Sequence, residues 1–107
     1  GQPLVIEDDV SVGHSAIVHG CTIRRGALIG MGAIVLNGAE IGEYALIGAG
    51  AVVTENTVIP PRTLALGTPA RVVRELDEQD FHRLRRTTDS YVEKGRQYMM
   101  EQTGDGS

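Results

Sequence analysis

The chain has 107 residues, enough for one domain and too few for two, so any chemistry must come from one scaffold or from an interface between copies. Hydrophobic residues make up 41% and charged ones 22%, and no apolar run approaches the ~20 residues a bilayer helix needs, which argues against a disordered tail and a membrane-spanning chain. A net charge of −4 with arginines spread over both halves leaves no basic stripe for nucleic acid, and one cysteine without a basic-then-apolar leader makes a reducing cytoplasm the expected compartment.

Fourteen glycines accompany only four aromatic residues, and three of those (Phe81, Tyr91, Tyr98) follow position 80, so a core before that point must be narrow and regular. Ile6 and Val12 each open a group of six, and a five-residue step between Val12 and Ile17, or just after, brings the register to Ile23. From there the chain reads IRRGAL, IGMGAI, VLNGAE, IGEYAL, IGAGAV, VTENTV, IPPRTL. The first position is always Ile or Val and the fifth always small: Ala27, Ala33, Ala39, Ala45, Ala51, Thr57 and Thr63. A small residue at this interval, with Gly at second or fourth positions, demands a bend each time, so each six is a short strand plus a turn. Three flat sides close a coil of roughly 18 residues with Ile or Val inside, and coils stack at about 4.8 Å. The predicted fold is an all-β parallel β-helix, a triangular prism, over residues 1–74; an ordinary sandwich of short strands is the alternative. Asp77 can cap a helix with Glu78 and Asp80 in its first turn, and Phe81, Leu84, Thr88, Tyr91, Val92 and Met99 follow at helical spacing. An amphipathic C-terminal helix is therefore expected over about 77–101, within a segment 75–102, and residues 103–107 read as a disordered tail.

The sixes resemble the hexapeptide-repeat, left-handed parallel β-helix superfamily, and the left hand is taken from that resemblance. The stretch IGAGAVVTENTVIPPRTLALGTPARVVREL is shared in outline by many hexapeptide acyltransferases. Residues 13–21, GHSAIVHGC, followed by ALIGMGAIVLNGAEIG, are more discriminating and resemble the γ-class carbonic anhydrase family over essentially the whole chain. The resemblance implies that three histidines bind a catalytic metal, Zn²⁺ or alternatively Fe²⁺ or Co²⁺, at the interfaces of a homotrimer. His14 and His19 match the last two. Residues five apart on a straight strand point to opposite faces, and with the short step between them the chain is expected to turn a prism corner from one to the other. The third ligand would lie upstream, so the chain is expected to be the C-terminal two thirds of a longer domain and inactive by itself.

The implied activity is reversible hydration of CO₂ to bicarbonate, the metal lowering the pKa of water toward ~7. Alternatives are a hexapeptide acyltransferase with one His as general base, a thioesterase on acyl-CoA, and a non-catalytic scaffold subunit. Tyr91 matches a Tyr-Val whose hydroxyl can approach the metal pocket in the family, and is otherwise a core residue of the helix. His82 reads as a solvated or packing histidine. Cys21 reads as a small buried coil residue, or else a fourth ligand or a reactive thiol. Asn37 heads a turn or contributes to a polar pocket, Arg24 and Arg25 read as exposed coil corners, and Arg62 stands at a turn position where Gly is commoner.

Overall fold

The computed structural model describes residues 2–83 and shows a parallel β-helix. Its strands are β1 (Val5–Ile6), β2 (Ser11–Val12), β3 (Ile17–Val18), β4 (Thr22–Ile23), β5 (Leu28–Ile29), β6 (Ile34–Val35), β7 (Glu40–Ile41), β8 (Leu46–Ile47), β9 (Val52–Val53), β10 (Val58–Ile59), β11 (Thr63–Leu66) and β12 (Arg71–Glu75). Every third strand pairs in parallel. The first face is β1-β4-β7-β10, the second β2-β5-β8-β11 with β12 added, and the third β3-β6-β9.

The sequence repeat becomes a column inside the prism. Ile23, Ile29, Val35, Ile41, Ile47 and Val53 are fully buried, and Ala27, Ala33, Ala39, Ala45 and Ala51 lie inside with them, each two residues ahead of the next large side chain. Alternating large and small side chains fill the narrow interior without aromatics. Thr63 occupies the small position at β11 and stays satisfied because its hydroxyl donates to the Pro60 carbonyl at 2.8 Å. In the first coil Ile6 is 46% and Val12 45% exposed.

Turns carry the second half of each six. The left-handed conformation recurs at Asp9, Ser15, Gly26, Gly32, Gly38, Tyr44, Gly50, Asn56 and Arg62, the last with φ 56°, as its place in the repeat leads one to expect. A Cβ on Gly26 would run into the Tyr44 ring, and the Arg62 guanidinium lies 5.9 Å from that ring's centre, so three successive coils stack Gly, Tyr and Arg at one corner.

The short step takes the later of its two expected places, just after Ile17. Val5 pairs with Thr22 and Val18 with Val35, 17 residues apart, whereas Thr22 pairs with Glu40 and Leu28 with Leu46, 18 apart. The missing residue is therefore between Val18 and Thr22, after His19, and not between Val12 and Ile17 or between the two histidines. Val18 packs toward the core and Ile17 is 49% exposed, because Ala16 fills the small position two residues before Val18, as Cys21 does before Ile23.

β12 runs back antiparallel to β11, with a bulge between Leu64 and Ala65. The Gly67–Ala70 stretch also closes on β9: the Val52 N–H donates to the Gly67 carbonyl and the Ala70 N–H to the Val52 carbonyl. A second compact unit begins at Asp77. Helical backbone runs over 78–83, and Asp77 caps it reciprocally with Asp80: the Asp80 N–H donates to Asp77 Oδ1 and the Asp77 N–H to Asp80 Oδ2. The remainder of the expected helix 77–101, including Tyr91, lies outside the described residues. Among those described, no helix is long and apolar enough to cross a membrane.

Candidate metal centre

His14 and His19 stand at the two margins of the third face. Gly13 leaves β2 with its N–H on the Ile29 carbonyl, His14 and Ser15 make the tight turn, and the Gly32 N–H of the next coil takes the His14 carbonyl. Gly13 has no room for a side chain, since a Cβ would sit 2.7 Å from the Met31 nitrogen. The chain then runs up β3 to His19, whose N–H donates to the Val35 carbonyl at 2.9 Å. Both imidazoles are exposed, and among the described residues neither makes a hydrogen bond or ion pair. Free ring nitrogens on a rigid ladder are suitable donors for a borderline-soft cation such as Zn²⁺. Among the described residues no three His, Cys, Asp or Glu side chains cluster tightly enough to hold an ion, so these two could serve only where another donor joins them.

The surface between them is apolar. On each short strand of the third face one residue points in, and the outward ones are Ile17, Ile34 and Val52. Met31, beside the His14 corner, is 51% exposed.

Cys21 lies two residues beyond His19 but inside the prism, where burial pushes its thiol pKa up. It is a packing residue and faces neither imidazole's exposed surface. His82 is exposed on the second unit's helix. Asn37 heads its turn as expected, but the left-handed residue there is Gly38, and the Asn37 side chain instead accepts the Gly20 N–H at 3.0 Å. Arg24 is no free corner: half-buried, it bridges Glu7 at 3.1 Å and Glu40 at 3.3 Å, while Arg25 pairs with Asp9 at 3.5 Å.

A family profile described as bacterial transferase hexapeptide (six repeats) matches residues 20–55. A protein of Geobacillus kaustophilus (strain HTA426) named Carbonic anhydrase is 57% identical over 96 residues, 90% of this chain and 53% of the relative. Over nine tenths of its length the chain is similar to the carbonic anhydrase-like family of hexapeptide-repeat proteins. A second relative in that family, from Methanocaldococcus jannaschii and named Probable carbonic anhydrase, is 54% identical over 86% of this chain and 58% of its own length. The chain thus spans somewhat more than half the length of these curated relatives. A solved structure from Bacillus cereus, provisionally described as an acetyltransferase, superposes with a TM-score of 0.85 at 56% identity, covering 91% of this chain and 56% of that one.

Proposed function

We propose that the full natural protein is a cytoplasmic homotrimer that reversibly hydrates CO₂ to bicarbonate at a divalent metal, Zn²⁺ or alternatively Fe²⁺ or Co²⁺, shared between neighbouring copies. The observation that carries this reading is the placement of His14 and His19 at opposite margins of one apolar face, with their imidazoles free. Two imidazoles at different corners would serve two different interfaces, and an apolar strip between them suits contact with a second prism. A bound ion of this kind supplies Lewis acidity and lowers the pKa of water to about 7. The chain's own part is to hold the imidazoles on a ladder whose backbone bonds leave them little freedom, and to present Ile17, Ile34 and Val52 as water-excluding walls. Tyr91 is proposed to line the same pocket.

A second reading, acyl transfer with one histidine as general base, draws on the acetyltransferase description of the Bacillus cereus structure. A lone base needs no partner at the next corner, so the paired histidines favour the metal. Zinc content and CO₂ hydration measured on His14→Ala and His19→Ala, in the full natural chain, separate the readings. Each change should remove most bound zinc and the activity while the circular dichroism stays that of the parent. Full zinc and full activity in either variant would sink the metal reading, and zinc-independent acetyl transfer would establish the other.

A further inference from the structure

We infer that Asn37 is a positioning residue for His19, an assignment that rests on reading His19 as a metal ligand. In a regular corner the first turn residue gives its carbonyl to the left-handed residue of the next coil: Asp8 to the Gly26 N–H, His14 to the Gly32 N–H, Asn37 to the Asn56 N–H. At Arg25 and at Gly20 the first turn residue's own N–H finds no backbone acceptor among the described residues. At Arg25 the Glu7 carboxylate takes that N–H at 2.9 Å; at Gly20 the Asn37 side chain does so at 3.0 Å.

The Gly20 corner differs from the rest because its left-handed residue is the one missing, so the chain passes from His19 to Cys21 through Gly20 alone. Gly20 is closely confined: a Cβ on it would run into the backbone of Gln2, and its carbonyl accepts the Gly38 N–H at 2.8 Å. The Gly20 N–H belongs to the planar peptide unit that starts at the His19 carbonyl. Fixing it therefore fixes ψ of His19, while the bond from the His19 N–H to the Val35 carbonyl fixes the other side of the same Cα. With both peptide planes held by the coil above, the Cα–Cβ direction of His19 is set. Only an acceptor oxygen at the end of a short side chain can do this here. Asp meets that requirement; Ala and Leu do not.

Zinc affinity by competition with a chromophoric chelator and hydrogen exchange at the Gly20 amide, both in the full natural chain, test the assignment. The parent's Gly20 amide should be protected. Asn37→Ala should lose that protection and bind zinc about tenfold more weakly, the loss typical when a group that orients a ligand is removed. Asn37→Asp, which keeps the acceptor oxygen, should retain both properties, whereas a role in turn preference alone would leave the Gly20 amide's protection and the zinc affinity uncoupled. A Gly20 amide that exchanges freely in the parent would overturn the assignment without any variant. So would an Asn37→Ala protein that loses protection but binds zinc as the parent does. Zinc binding that survives His19→Ala would instead refute the metal reading, and protection at Gly20 together with the His19 ring's NMR shifts would still decide whether Asn37 sets the side chain.

Discussion

Glu7 shows how one carboxylate ties two coils together. Its Oε2 accepts from the Arg24 guanidinium and its Oε1 from the Arg25 N–H, and these bonds, the backbone one foremost, hold its pKa below the ordinary 4.5. A depressed folded-state pKa means that the ionised form is favoured in the native protein. Its contribution is therefore present above about pH 4.5 and is lost as the pH falls through the lower folded value. Glu7→Gln should accordingly lower the melting temperature near pH 7, and the gap from the parent should close progressively below pH 4.5. The effect at pH 7 should be small, because the pair is more than a third exposed on both sides and water screens it. A gap that stays constant from pH 7 to pH 3 would show that the charge is irrelevant. The sequence held the means to find this pair: with a coil of 17 residues, Glu7 faces Arg24. Arg25 is exposed as read, whereas reading Arg24 as an exposed corner ignored that residues far apart in the chain become neighbours once coils stack.

Among the elements, the two-residue strands are individually trivial and acquire stability only as a ladder. Ile47 on β8 lies between Ile29 below and Ala65 above, fully buried. Ile47→Ala leaves a cavity that such a stiff wall cannot collapse into, and should cost about 2–5 kcal/mol. Ile6→Ala, on a side chain already 46% exposed, should cost well under half of that. Urea unfolding of both variants checks the contrast, and equal losses would contradict the assigned core. Period and fold class were fully legible because every coil repeats the same packing problem. The short corner was legible only to within a few residues: Ile17 and Val18 are adjacent and both β-branched, so hydrophobicity alone does not say which points in. The small column does say it, since Ala16 and Cys21 are five apart and each must precede an inward residue by two. Of the proposed site, the two histidines were singled out by their spacing and resemblance, and Asn37's hydrogen bond was not legible, because it depends on which turn residue is missing.

At the scale of the whole molecule, an apolar face flanked by two unsatisfied imidazoles predicts association. Light scattering of the full natural chain should report three copies, and Ile34→Asp, which sets a charge in the middle of the third face, should give smaller species with unchanged circular dichroism. Trimers that persist in that variant would place the interface elsewhere. On the proposed reading the site is divided between copies, and such a site cannot be read as a cluster in any single chain. The far end of the prism has a different consequence. β12 doubles back on β11 as an antiparallel edge strand, and Gly67 and Ala70 use the outward hydrogen-bonding groups of Val52, so two of the three faces present no parallel edge there. A duplicated coil appended beyond Leu66 would find no parallel template on those faces, whereas a duplication inserted between existing coils would meet matching edges above and below. Lineages with this architecture can therefore change length from within, by whole coils, while the terminus that stops the stack is inherited intact.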